Sequence, residues 1–362
     1  MDFILIVNKR GVAILITLTI IALLTVTTLE LNRQARSAVL SAATTRDRVT
    51  LSEMTSSAVN FAMAMLVKDK EVSTIDSIQE DWADPEKIKA LLSDAAFDEG
   101  SLTLSISDEL GRIQVNALVK YPDVQNFNQP QRFLMDRFLR LALSSNETTE
   151  EIDPATTILY SMKDWLDSGD DDAITGLSGA ESDYYEDLDP PYRCKNGIIT
   201  HLSELILIKG VIPEVYYGME DTAGISRYVT VNGMTDGGGN TGGNTATFKG
   251  KININTAELP VLTALLPEEN QDLAQAIFDH RLEKSGLVYT HDLSGKTWYK
   301  QVPGAGDIEI NPELITTQSD IFKIETSAML YDMKMSTTVV VHRLADPERG
   351  KYFCRVLSWE PK

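Results

Sequence analysis

Val12-Ala13-Ile14-Leu15-Ile16-Thr17-Leu18-Thr19-Ile20-Ile21-Ala22-Leu23-Leu24-Thr25-Val26-Thr27-Thr28-Leu29 is a run of 18 uncharged residues entered through Asn8-Lys9-Arg10-Gly11. As a helix rising ~1.5 Å per residue it reaches ~27 Å, close to the hydrocarbon thickness of a bilayer. The segment can therefore hold a protein in a membrane by itself. Its cationic flank, Lys9 and Arg10, belongs on the cytoplasmic side and the chain beyond on the opposite face. A cleaved secretory signal has a shorter apolar core, ~7 to 15 residues, followed by an Ala-x-Ala-like site. Here the run is longer and continues as good helix, with no Gly or Pro from Val12 to Asp84. Met54, Ala58, Phe61 and Met65 follow at steps that place them on one helix face. The span is thus expected to run straight into an amphipathic helix ending near Asp69 or Lys70.

Two cations, one glycine and an apolar helix resemble the leader of pilin-like proteins, with cleavage between Gly11 and Val12. The alternative is a plain single-pass anchor. Most pilin-like proteins carry Glu at the fifth position after the cleaved glycine, and here that position is Ile16. A carboxylate inside the bilayer is costly and is held by the N-terminal amine of the subunit assembled before it. A subunit with nothing above it has no amine to neutralise, so Ile16 points to a first-assembled, tip-located subunit.

With 53 acidic against 33 basic residues the formal charge is −20 and the isoelectric point about 4.6, so a phosphate backbone is repelled and nucleic acid is excluded as a partner. Cys194 and Cys354 are far apart in sequence and have no metal-ligand spacing. In an oxidising compartment they either bridge or remain two buried thiols.

The fold class expected is α+β: the N-terminal helix, then a pilin-like α/β sheet interrupted by a large inserted helical domain. Residues 1–11 read as leader, 12–70 as the helix with its membrane span at 12–34, 71–125 as the first part of the pilin-like domain, 126–315 as the insertion and 316–362 as the C-terminal strands. Leu102, Leu104 and Ile106 alternate, Asp108-Glu109-Leu110-Gly111 turns, and Ile113, Val115 and Ala117 alternate again, which predicts a hairpin. Strands return at Ile321 to Leu330, Met335 to Leu344 and Tyr352 to Trp359. Between the strand groups, 131–143, 156–166, 202–209, 213–219, 259–266 and 271–283 carry helix-like spacing. The Gly-rich run around Gly238 reads as a loop dividing the insertion.

Leu202 to Glu214 and Ile252 to Pro260 resemble helix-hairpin-helix or SAM-like units, each opened by a polar cap, Ser203 in the first and Thr256 in the second. Such hairpins often bind DNA, but Lys209 is almost the only cation nearby, so they are read as packing or protein-contact modules. Asp164 to Asp189 holds ten carboxylates in 26 residues and no Lys or Arg. Calcium takes ~6 to 8 oxygens from such a loop; a solvated acidic face is the alternative. The spacing and central glycine of an EF-hand are missing. A carboxylate pair acting as a hydrolase's acid and base lacks a nucleophile, an aromatic platform and a histidine constellation, since His201, His280, His291 and His342 are scattered in sequence. Asp167, Asp170, Asp172, Glu181 and Asp183, flanking the Gly176 to Gly179 turn, are the ligands favoured for calcium.

The leader with Ile16, Asp164-Trp165-Leu166-Asp167, Gly179-Ala180-Glu181-Ser182-Asp183-Tyr184-Tyr185, Leu188-Asp189-Pro190-Pro191-Tyr192-Arg193, Ser203-Glu204-Leu205 and Ile252-Asn253-Ile254-Asn255-Thr256-Ala257 together resemble the protein K family of the general secretion pathway, the large minor pseudopilins of the type II secretion system. The resemblance implies a non-enzymatic structural subunit, cleaved and N-methylated by a prepilin peptidase and anchored in the inner membrane with its bulk in the periplasm. It implies a tip complex with minor pseudopilins I and J, with H below them, that starts pseudopilus assembly and supports export of folded proteins across the outer membrane. Secreted substrates are a further contact, and calcium is implied in the acidic insertion. The reading from another class is a membrane-anchored periplasmic binding module outside any fibre.

Overall fold

The computed structural model describes residues 9–94, 99–122, 124–143, 153–169, 174–219, 222–236 and 246–362. Its first element, α1 (Lys9–Val72), is one helix of 64 residues. From Gly11 to Thr50 no residue of it is buried. The five threonines of the apolar run fit there because each returns its hydroxyl to a carbonyl of the preceding turn, as Thr17 does to Ile14 at 2.9 Å and Thr25 to Ile21 at 2.7 Å. No threonine hydroxyl of that run is left without an acceptor.

Beyond Thr50 the helix gains a buried face made of Leu51, Met54, Ala58, Ala62 and Leu66, at steps of three and four. Phe61 and Met65, expected on that face, lie half-buried at its margins instead. Two alanines at its centre bring the helix close to the sheet, and larger side chains are displaced to the sides. A short link containing Trp82 leads to α2 (Pro85–Asp94).

The sheet has four antiparallel strands in the order β1 (Ser101–Asp108), β2 (Ile321–Leu330), β3 (Met333–Asp346), β4 (Lys351–Pro361). Leu104, Ile106, Phe322, Ile324, Val339 and Val341 meet Val59, Ala62 and Leu66 of α1, and Trp82 stands edge-on to Phe322 at 5.2 Å between centroids. The hairpin read over Ser101 to Val119 is not formed. β1 pairs with β2, from Ser101 opposite Met329 to Asp108 opposite Phe322, while Ile113–Gln114 pairs in parallel with Val229–Thr230 and Val115–Leu118 is a 3-10 turn. The chain does not fold back because the turn is held from outside: a Cβ added to Gly111 would stand 2.7 Å from Thr256 Oγ1. The insertion therefore begins near Glu109, ahead of residue 126, and Ile113, Val115, Leu118 and Val119 belong to its core.

That core also takes in α3 (Gln129–Leu143), α4 (Pro154–Leu166), α5 (Ser182–Glu186), α6 (Pro213–Tyr217), α7 (Leu259–Leu265) and α8 (Ala274–His280), interleaved with short strand pairs. The segment 202–209, read as helix, is a 3-10 helix over Leu202–Leu207. Ser203 is not its cap. Glu204 closes the start by accepting from the Thr200 and His201 amides at 2.9 and 2.8 Å and from Lys195 Nζ, and these contacts outweigh desolvation and pull its carboxyl down to about 2. Thr256 likewise opens no helix, since Glu258 is the residue before α7. The Gly-rich run near Gly238 lies outside the described residues from 237 to 245.

Insertion and sheet meet in a knot of buried polar groups. Asn253 Nδ2 donates to the Asp76 carbonyl at 2.9 Å and to Asp108 Oδ2 at 2.8 Å, and Thr256 Oγ1 donates to the same Asp108 oxygen at 2.7 Å. Arg343, on β3, pairs through Nη2 with Asp76 and with the Ser319 carbonyl at 2.9 Å, and donates through Nη1 to the Leu66 carbonyl of α1 at 2.9 Å. Buried polar groups are tolerated when each is bonded, and here the bonds cross from stalk to sheet to insertion.

The possible Cys194–Cys354 bridge is not present: both are free, Cys194 in the core of the insertion and Cys354 on β4 against the sheet core. The sequence separation of the two thiols corresponds to a separation between two different cores.

Candidate metal centre

Asp153 caps α4 by accepting from the Ala155 amide, with Pro154 in the first turn where no amide bond is lost. The helix ends at Leu166, which leaves Asp164 in its last turn and Asp167 at its C-cap. The chain then returns through Gly179 so that Glu181 precedes α5. Asp164, Asp167 and Glu181 are all buried and offer one oxygen each within 4.8 Å of one another. On the same segments Trp165, Tyr185 and Tyr192 pack together, Trp165 edge-on to Tyr185 at 5.1 Å and Tyr185 stacked on Tyr192 at 5.3 Å. The acids and aromatics of this part of the sequence thus separate into an oxygen cluster and an aromatic cluster.

Asp164 is held from the backbone. Oδ1 accepts from the Thr175 amide at 3.1 Å and Oδ2 from the Ala180 amide at 2.9 Å. Gly179 makes that approach possible, since a Cβ on it would lie 2.0 Å from Asp164 Oδ2. Burial pushes the Asp164 carboxyl above the usual range in spite of these donors. Lys163 Nζ reaches Asp167 Oδ2 at 2.6 Å, while Asp167 Oδ1 is buried with no hydrogen-bond partner among the described residues. Three buried carboxylates facing one lysine leave an excess of negative charge in low dielectric. A hard cation fits this donor set, which is all oxygen, with one oxygen still uncommitted.

Of the favoured ligands, the structure brings Asp167 and Glu181 together and adds Asp164, an acid of the cluster outside the favoured five. Asp183 is not part of the group: it is exposed in the first turn of α5, next to the buried Ser182. Asp170 and Asp172 lie outside the described residues. Sequence shows the helix end near Asp164 without showing which of its residues the returning chain will cover.

Lys209 has a packing role, donating to the Gly179 carbonyl at 3.2 Å and covering the Tyr184 ring at 4.7 Å. Gly11, Val12 and Ile16 all lie on the unburied part of α1, with Ile16 turned outward at 53% exposure.

Residues 111–227 match the family model for type II secretion system protein K, starting where the structure puts the beginning of the insertion. The chain is 32% identical over 119 residues to the type II secretion system protein K of Pectobacterium carotovorum subsp. carotovorum, covering 33% of this chain and 34% of that protein. It is 25% identical over 210 residues to the protein K of Klebsiella pneumoniae, covering 58% of this chain and 60% of that protein. The matched segments thus span less than two thirds of these relatives' own lengths. In fold the chain resembles a chain in the crystal structure of the GspK–GspI–GspJ complex of the type 2 secretion system from enterotoxigenic Escherichia coli, with a TM-score of 0.57 at 14% identity, covering 88% of this chain and 99% of that one. Family model, curated relatives and fold agree: residues 111–227 are similar to the type II secretion system protein K family, and the overall fold resembles that of a chain in the solved complex.

Proposed function

We propose that the protein is a non-enzymatic minor pseudopilin that starts and caps a periplasmic pseudopilus, supporting export of folded proteins across the outer membrane. The observation that carries this reading is the disproportion between stalk and head. α1 is ~10 Å wide and projects bare over its first 40 or so residues. A second core larger than the sheet's own sits at its far end. In a close-packed helical fibre every subunit meets equivalent neighbours, and heads of this bulk would collide if repeated. Such a subunit fits only at an end.

Ile16 supports the same position, as it needs no amine from a subunit above. Cleavage between Gly11 and Val12 by a prepilin peptidase, N-methylation of Val12, and insertion of residues 12–34 in the inner membrane complete the assignment. Its partners are the I and J minor pseudopilins, named with the K subunit in the similar solved complex, with H beneath them and secreted proteins as a further contact. Calcium is held by Asp164, Asp167 and Glu181, where it neutralises the buried carboxylates and ties the end of α4 to the start of α5. Co-purification from detergent-solubilised membranes tests the reading: stoichiometric recovery of I- and J-type subunits is expected. Recovery of the chain alone would favour a tethered binding module.

A further inference from the structure

The four histidines, scattered in sequence, do not stay apart in space. His280 ends α8, Glu283 follows three residues later, and His291 returns after the short pairing of Lys284–Ser285 with Val288–Tyr289. We propose that His280, Glu283 and His291 form a second metal site, selective for a zinc-class divalent ion. One ligand atom from each lies within 4.8 Å of the other two. A tetrahedral zinc with ligands at ~2.0–2.2 Å holds them roughly 3.3–3.5 Å apart, so closure needs little travel of the atoms but a rotation of the His291 ring out of its stack on His280, since an imidazole binds a metal in its own plane.

A second observation points to a ligand. His280 Nε2 is buried with no hydrogen-bond partner among the described residues, although its ring is fixed between Trp298, parallel at 5.9 Å, and His291, stacked at 3.5 Å. A buried ring nitrogen with no partner is costly, and a metal ion satisfies it. His291 Nε2 meets Glu283 Oε2 at 2.7 Å, so the entering ion replaces the proton they share while the His291 ring tilts off its neighbour. The adjacent cations are engaged elsewhere: Arg281 donates to the Ile254 and Ala257 carbonyls, and Lys284 lies over Tyr289. Two imidazoles and one carboxylate suit zinc, whereas the Asp164 cluster, all oxygen, suits calcium. A water takes the fourth position.

The ion would brace the joint. Gln79, in the link between α1 and the sheet, donates to the carbonyls of Arg281 and His291 at 3.0 and 3.3 Å, so the site lies where the insertion grips the stalk.

The test uses the full-length chain in detergent, stripped of metal and returned to saturating calcium, in a Cys354→Ser background that removes the less buried thiol as a rival ligand. Titration with zinc chloride should show one ion per chain, and cobalt(II) should give a tetrahedral visible band. Glu283→Gln and His291→Gln change partly exposed side chains, so circular dichroism should match wild type. Each should weaken zinc binding by more than the ~10- to 100-fold that losing an outer partner of a metal ligand costs, and abolish the cobalt band. Asp167→Asn should leave zinc binding unchanged. No zinc binding by the parent, equal binding by the Glu283→Gln, His291→Gln double variant, or loss on Asp167→Asn would each overturn the assignment.

Discussion

Asn253 donates its side-chain amide to the carboxylate of Asp108 at 2.8 Å, joining the inserted domain to the last residue of β1. The same amide reaches the Asp76 carbonyl, and Asp76 pairs with Arg343. One asparagine thus touches the two segments between which the insertion leaves the sheet and the stalk. Leaving a buried donor or acceptor unpaired costs ~1–3 kcal/mol. Asn253→Ala should therefore lower unfolding stability by ~2–3 kcal/mol, against under ~1 for the exposed Asn311→Ala, measured by urea denaturation of the purified protein. Equal losses would show that the knot does not couple the two bodies.

Processing at Gly11 is expected to leave Val12 as a methylated N-terminus. Gly11→Val should block it, because the peptidase requires a small residue there. Intact mass of protein from membranes reads the outcome directly, and a mature start near Ala42 would instead reveal ordinary signal cleavage.

On the proposed tip position, Ile16→Glu buries a carboxylate near the start of the span with no amine above it, at a cost below the ~2.5–3.5 kcal/mol of the helix centre. Secretion and the yield of assembled subunit should both fall. Unchanged secretion would argue for a neighbour above this subunit.

Calcium should stabilise the head by RT ln(1 + [Ca]/Kd), ~2.7 kcal/mol at a hundredfold excess over Kd, since the unfolded chain offers no preformed cage. Thermal unfolding with EGTA and with millimolar calcium should differ for the natural chain and coincide for an Asp167→Asn, Glu181→Gln variant. If the natural chain melts at one temperature in both, the cluster holds no ion.

The Asp69 carboxyl is pushed up to about 7, first by burial and then by Glu80 and Asp76, against Arg343 and Lys70. The folded form then binds a proton more tightly than the unfolded chain, whose aspartates titrate near ~3.9. Stability from this group is fully present below that unfolded value and is lost as pH rises through about 7. Raising pH from 5 to 8 should lower the urea midpoint, and Asp69→Asn should flatten that limb. Glu80, also raised, adds in the same direction. A midpoint that rises over this interval in the natural chain would contradict the assignment.

Residues 12–29 determined on their own a helix long and apolar enough to cross a membrane, because 18 uncharged residues in a row can satisfy their backbone in lipid only as a helix, whatever the rest of the chain does. The last three strands were equally legible, since alternation along Ile321 to Leu330 and its successors reports a sheet with one covered face. The acidic segment showed by composition a concentration of carboxylates, which reads as a cation site or as a solvated face. Tertiary structure decided what depends on residues distant in sequence. β1 found its partner 214 positions away, Asp108 opposite Phe322, because the turn at Gly111 is held by Thr256 of the insertion. Asp164 joined Asp167 and Glu181 while Asp183 stayed outside, because Gly179 lets the returning backbone close over one face of the end of α4. The two cysteines fell into separate cores, and His280 met His291 through a short strand pair that carries no strong pattern. Local periodicity reports which face of an element is covered, whereas the side chains that meet are set by long-range packing and hydrogen bonding that no window of sequence contains.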